Sequence, residues 1–219
     1  MSEKSDQVSN RPINRRLGVL ISGRGSNLQA LIDAIQRREL DAEIVLVISN
    51  REDAAGLARA RQAGIEAICI SHRGWKSRDD FDRAVARELN ARAVGLVCLA
   101  GFMRLVGQPL LDAFPNAIVN IHPSLLPAFP GVDAQRQALE HGAKVSGVTV
   151  HLVTSELDSG PIVIQRTVPV LDDDTAESLA ARILIEEHRV YPEAVKLLLE
   201  GGWRVDGRRF VRSASAASA

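Results

Sequence analysis

Apolar positions along this chain fall into two alternating rhythms. Arg16–Ser22 is a continuous apolar run that ends at Gly23, the pattern of a buried strand. Asn27–Arg38 then sets Leu28, Leu31, Ile32 and Ile35 on one face at helical spacing. Glu43–Ser49 is a second apolar strand, Asp53–Ala63 reads as a helix stopped by Gly64, and Ala67–Ile70 as a short strand. Ser77 suits the N-cap of a helix that opens with Arg78-Asp79-Asp80 and runs to about Ala91. Ala93–Ala100 is wholly apolar, as the middle strand of a parallel sheet is. A short helix near Pro109–Ala113 leads to a strand at Ala117–Ile121.

The second half changes rhythm. Gly147–Val153 and Ile162–Val170 read as two antiparallel strands joined by a short acidic loop. Thr175–Leu199 is one long helix, with a bend expected near Pro192. Trp203–Val205 and Arg208–Phe210 flank Asp206-Gly207, a hairpin signal. Alternating strands and helices imply an α/β fold with right-handed crossovers. The expected architecture is a single domain over 16–210, an open, twisted, mostly parallel but mixed sheet with helices on both faces. The polar stretch 1–15 and the tail 211–219 are expected to be disordered.

Composition narrows the class. The 219 residues suffice for one sizeable core, and 46% hydrophobic with 25% charged residues is ordinary for a globular chain. Lys+Arg and Asp+Glu are both 27, so no basic excess points to nucleic acid. Cys69 and Cys98 sit in apolar runs and read as reduced core thiols, without the spacing of a zinc site. The first 15 residues lack the apolar core of a signal peptide, and no apolar run approaches the roughly 18 residues of a membrane span. These features point to a cytoplasmic protein without a membrane partner.

Two constellations carry chemistry. The first is Ile21-Ser22-Gly23-Arg24-Gly25-Ser26-Asn27, at the junction of the first strand and helix. Glycines let the backbone approach a ligand, and the helix start offers free N–H groups to a phosphate. Leu28 stands where a dinucleotide fingerprint wants its third glycine, and the Gly-Lys-Ser/Thr of a P-loop is absent. A monophosphate therefore fits better than a nicotinamide cofactor, and a ligand-free capped turn is the bland alternative. The second is Asn120-Ile121-His122-Pro123-Ser124, at the carboxyl end of a strand, where open α/β sheets bind ligands. Alternation puts Asn120 and His122 on one side. An amide and an imidazole together can stabilise an oxyanion, and the imidazole can move a proton. A His before Pro is, on its own, more often structural. Asp158, in the acidic loop, is expected to reach His122 and raise its pKa. His151 reads as packed and hydrogen-bonded rather than catalytic, and His72, His141 and His188 as surface or capping residues. Glu186 and Glu187 read as a solvated charge pair.

With ISGRGSN near the start, LAGFMRLV at 99–106, NIHPSLLPAFPG at 120–131 and ELDSGP at 156–161, the chain resembles the folate-dependent phosphoribosylglycinamide formyltransferases over about residues 16–210. The resemblance implies a Rossmann-like formyltransferase fold. It implies transfer of a formyl group from 10-formyltetrahydrofolate, the cosubstrate, to the amine of 5′-phosphoribosylglycinamide in de novo purine biosynthesis, without a metal. Asn120, His122 and Asp158 would be catalytic, with Asp158 keeping His122 protonated. Gly25, Ser26 and Asn27 would hold the substrate phosphate, and Glu187 the ribose hydroxyls. Arg78, Met103, Arg104, Leu105, Val106, Asn120, Thr154, Ser155, Glu156, Leu157 and Asp158 would contact the folate. The chain departs from the pattern at Asp133, where many relatives carry a His; Asp133 reads instead as the cap of a helix over Ala134–Glu140. It departs again at Leu184, which replaces a polar residue. The rivals are a 10-formyltetrahydrofolate hydrolase, which carries an N-terminal regulatory domain that residues 1–15 are too short to form, and a non-catalytic nucleotide-phosphate binding protein. Methionyl-tRNA formyltransferases carry a further C-terminal domain for which this chain ends too soon. Oligomeric state is left open, a homodimer included.

Overall fold

The computed structural model describes residues 13–213. Most of the disorder expected at the two ends falls on 1–12 and 214–219, outside the described residues. The first half alternates β1 (Arg16–Ile21), α1 (Ser26–Gln36), β2 (Glu43–Ser49), α2 (Ala55–Gln62), β3 (Ala67–Cys69), α3 (Arg78–Ala91), β4 (Leu96–Leu99), α4 (Gln108–Ala113) and β5 (Ile118–His122). The second half contains α5 (Ala134–Glu140), β6 (Val145–Leu152), β7 (Ile162–Pro169), α6 (Ala176–Glu200), β8 (Trp203–Asp206) and β9 (Arg209–Arg212). The strands form one mixed sheet in the order β3-β2-β1-β4-β5-β6-β7-β9-β8.

Strands β1 to β5 are parallel, and β6 runs antiparallel to β5 and β7. From β1 the chain steps outward to β2 and β3, then returns to place β4 on the other side of β1. With right-handed crossovers, that reversal sends α1 and α2 to one face and α3 to the other. It also opens a crevice at the carboxyl ends of β1 and β4, where such sheets bind ligands. Helix α6 packs beside α1 and covers β5, β6 and β7.

The core explains the apolar runs. Leu17, Val19, Leu20 and Ile21 of β1 are fully buried, as are Leu96, Val97 and Cys98 of β4 and Val119 of β5. Strands covered on both faces need no alternation. Tyr191 of α6 is fully buried, and its hydroxyl donates to the Leu99 carbonyl at 2.8 Å. Burial pushes the Cys98 thiol up to about 12, and Cys69 is raised for the same reason, so neither free thiol is a ready thiolate. Among the described residues, no helix is long and apolar enough to cross a membrane.

Several element limits differ from expectation for local reasons. The apolar run at 93–100 does not all join the sheet. Ala93 is left-handed, at φ 52°, and with Val94 it closes α3 by hydrogen bonds to Asn90 and Leu89, so β4 starts at Leu96. The final hairpin pairs Asp206 with Arg209, which makes Gly207-Arg208 its two-residue turn rather than Asp206-Gly207. Strand β9 continues to Arg212, two residues past the expected limit, and Asn14 is already tied to the Ala93 carbonyl. Ser77 caps α3 through Asp80 N–H as expected, whereas Asp133 occupies the cap position of α5 at φ 55° with no side-chain capping bond. Pro192 lies inside α6, which runs unbroken through it.

Candidate active site

The glycine turn follows β1 and gives α1 its start. Gly25 is left-handed, at φ 71°, a conformation that penalises a side chain. It also lies against α2: a Cβ on Gly25 would come within 2.7 Å of the Gly56 Cα. The Gly56 N–H donates to the Gly23 carbonyl at 3.0 Å, and Arg59 Nε donates to the Arg24 carbonyl at 2.9 Å. Helix α2 thus braces the turn from outside. The first N–H groups of α1, those of Ser26, Asn27 and Leu28, have no intrahelical partner and face the positive end of the helix dipole. Asn27 is buried, and its amide donates to Glu187 Oε2 at 2.6 Å while its own Oδ1 lacks a partner. Glu187 is buried as well, not solvated. Burial raises its pKa, opposed by the Asn27 bond and by the charge of Arg24. Glu186 instead pairs with Arg189 at the surface.

The second constellation lies two strands across. Asn120 and His122 share one side of β5, as alternation predicts. Register sets Asn120 opposite His151 of β6, and the Asn120 amide lies 3.2 Å from His151 Nε2. Beyond β6 the chain makes a closed excursion, its base fastened by Leu152 N–H to the Pro161 carbonyl. That loop carries Asp158, left-handed at φ 48°, back beside both histidines. Asp158 Oδ2 accepts from Gly131 N–H at 2.8 Å and lies 3.4 Å from His122 Nδ1; Oδ1 lies 3.6 Å from His151 Nε2. The loop after β5 is anchored from beneath, because the Thr149 hydroxyl donates to the Ser124 carbonyl and Gln165 donates to the Leu126 carbonyl. This fixes the Phe129 carbonyl, to which His122 Nε2–H donates at 2.8 Å.

Electrostatics correct one expectation. Burial lowers the His122 pKa below the ordinary imidazole value, and it outweighs the upward pull of the Phe129 carbonyl and of Asp158, with His151 adding to the fall. The resting His122 is therefore neutral near pH 7, with its proton on Nε2, rather than held as imidazolium. At 3.4 Å the carboxylate is outside good hydrogen-bond range, which limits what it returns for a nearly buried ring. For Asp158, burial acts upward, but the nearby His151, the bond from Gly131 N–H and the proximity of His122 together keep the carboxyl below its usual range.

Asn120 and Asp158 open into a cleft walled by Leu99, Phe102, Arg104, Leu105, Val106, His151 and residues 153–157. Of the residues assigned to the folate, Arg104, Leu105, Val106, Asn120, Thr154, Ser155, Glu156, Leu157 and Asp158 are in this wall. Arg78 and Met103 are not; both are exposed at its margin, Met103 at 73%. A wider hollow beyond Val153–Ser155, against Leu111 and Phe114, includes none of Asn120, His122 and Asp158. His151 is packed and hydrogen-bonded, as expected, and it stands beside Asn120 and Asp158. The signal for that place is its pairing opposite Asn120, which strand register reveals and residue spacing does not. His188 is half-buried with an unpartnered Nε2, neither a surface nor a capping residue.

The chemistry available is that of two buried imidazoles and one amide around one carboxylate, next to a cleft, with an anion-ready helix start nearby. Comparison with known proteins identifies the family. The family described as formyl transferase matches residues 15–195. Phosphoribosylglycinamide formyltransferase of Escherichia coli is 43% identical over 190 residues, covering 87% of each chain. The trifunctional purine biosynthetic protein adenosine-3 of Drosophila melanogaster is 49% identical over 189 residues; the match takes in 85% of this chain but only 14% of that longer protein. The crystal structure of glycinamide ribonucleotide transformylase 1 from Symbiobacterium toebii superposes with a TM-score of 0.90 at 55% identity, covering 93% of this chain and 96% of that one.

Proposed function

This chain belongs to the formyl transferase family, and from that premise we propose that it transfers the formyl group of 10-formyltetrahydrofolate to the amine of 5′-phosphoribosylglycinamide in de novo purine biosynthesis. The opening of Asn120 and Asp158 into one cleft, with His122 buried behind Asp158 at 3.4 Å, two strands from an anion-ready glycine turn, carries the reading. The likeness to the Escherichia coli enzyme along 87% of both chains supports the choice of acceptor. The reaction is assigned to the cytoplasm.

In this reading the amides of Gly25, Ser26 and Asn27 hold the substrate phosphate, and Glu187 accepts from the ribose hydroxyls. The cleft residues Arg104–Val106 and Thr154–Asp158 hold the folate, with Met103 and Arg78 at its outer end. The acceptor amine attacks the formyl carbon, and the formyl oxygen becomes an oxyanion. An amide nitrogen has two hydrogens; one from Asn120 serves His151 and the second is free for that oxyanion. Neutral His122 takes up the proton released by the amine, by relay alongside Asp158. The imidazolium so formed sits 3.4 Å from the Asp158 carboxylate, which stabilises it. Collapse of the tetrahedral centre returns a proton to N10 as tetrahydrofolate leaves.

The test supplies 10-formyltetrahydrofolate with and without phosphoribosylglycinamide and follows the formyl group. Transfer that requires both molecules is the expected result. Loss of formate without the acceptor identifies a hydrolase, and no turnover with intact phosphate binding identifies a binding protein.

A further inference from the structure

Asp82 of α3 is a buried carboxylate, 1% exposed, that no step of the transfer uses. Its Oδ2 accepts from the Gly107 N–H at 2.6 Å, and its Oδ1 has no hydrogen-bond partner. A carboxylate kept away from water is costly unless it is paired. Burial raises its pKa, against the Gly107 bond and the charges of Arg104 and Arg78. Arg104 is anchored at the same place, its guanidinium carbon 4.7 Å from the centre of the Phe81 ring and its Nε buried without a partner. A Cβ on Gly107 would fall 2.6 Å from Asp82 Oδ2, so a side chain there would disturb this approach. At the other end of the same segment, Met103 N–H donates to Ser22 Oγ at 2.8 Å, and that hydroxyl donates to Asn50. The stretch Met103–Gly107 is therefore pinned at both ends by side chains from elsewhere. Between the pins, Arg104, Leu105 and Val106 form one wall of the cleft.

We propose that Asp82 is a positioning residue for the folate cosubstrate, fixing the Met103–Gly107 wall of the cleft through the Gly107 N–H and the charge of Arg104. The inference rests on the functional reading above, which assigns that cleft to the folate. Asp82 touches neither substrate. Asp82→Ala leaves the buried Gly107 N–H without its partner and removes the negative charge near Arg104, which is worth on the order of a tenfold rise in the KM for 10-formyltetrahydrofolate. The KM for phosphoribosylglycinamide and the kcat at saturating folate stay within about twofold, because the glycine turn and the Asn120 group are untouched. Asp82→Asn keeps an acceptor for Gly107 but loses the charge, and its folate KM rises by a smaller factor, about threefold.

The experiment measures both KM values and kcat for each variant, together with a direct titration of tetrahydrofolate into the same proteins. If Asp82→Ala does not fold, Asp82→Asn and its titration decide alone. A folate KM and tetrahydrofolate Kd that match the wild type, or equal rises in both KM values, overturn the inference while the formyl transfer of the wild type stands. A wild-type chain that neither transfers the formyl group nor binds tetrahydrofolate overturns the functional reading and this inference with it.

Discussion

At the scale of single residues, the site is a contest between burial and charge. His122 loses more by leaving water than Asp158 gives back, so the resting ring is neutral and turnover should fail on the acid side, as the ring gains a proton. The sign for a variant follows directly. Asp158 pulls the His122 pKa up, so Asp158→Asn should move the acid limb of the kcat profile to lower pH and lower the plateau as well. A pH–rate series on both proteins checks this, and an acid limb moved upward would show that the carboxylate is not the partner of His122. Asn120→Ala removes the free amide hydrogen and should cost on the order of 100–1000-fold in kcat. His122→Ala removes the proton acceptor and should be no milder. Binding of the phosphate substrate, measured by titration, should survive in both, since the glycine turn stands two strands away.

At the scale of elements, the two ends of the sheet pattern were not equally legible. Strand and helix positions in the first half follow from hydrophobic period alone, and Glu43–Ser49 has the same limits in sequence and structure. The run at 93–100 misled because apolar character does not distinguish the last turn of α3 from the first residue of β4. The Asn120, His122 and Asp158 group could be read from residue types, while His151 depends on which residue of β6 faces Asn120, a matter of register. The protonation of His122 was misread because composition gives the carboxylate but not the depth of burial. The support of the glycine turn by α2 was likewise invisible, since it is a contact between two helix starts. It makes a prediction. Gly56→Ala would put a Cβ 2.5 Å from Ile21 Cδ1, 3.2 Å from the Gly25 Cα and 3.3 Å from the Gly23 carbonyl oxygen. Two of those neighbours are backbone and yield only by shifting the turn, an overpacking cost of roughly 1–3 kcal/mol. The KM for phosphoribosylglycinamide should rise on the order of tenfold with the folate KM unchanged; equal rises in both would mean that the strain spreads beyond the turn.

At the scale of the whole molecule, the sheet order brings the carboxyl ends of β1, β4 and β5 side by side, and these supply the glycine turn, the Met103–Gly107 wall and the Asn120–His122 pair. One reversal of strand order thus gathers segments spread over about half the chain. The same gathering buries groups that water would rather charge, and this couples the fold to pH. His122 in the site and His188 on α6 both have pKa values lowered mainly by burial. Below about pH 6.5 the unfolded chain takes up protons on these rings that the folded chain refuses. Their contribution to stability is complete above that value and is lost as pH falls through the folded pKa. Glu187 and Asp82 act in the opposite sense. Their carboxyls are raised by burial, so the folded chain binds protons before the unfolded one does, and acidification through that window favours the fold. The histidine window opens at the unfolded value of about 6.5, just below neutrality, so the urea midpoint should fall between pH 7.5 and pH 6. The double variant His122→Asn, His188→Asn removes both rings and should flatten that fall while leaving the carboxyl effect in place. A midpoint that stays level in the wild type, or that falls as steeply in the double variant, would mean that other buried groups govern the acid side of the fold.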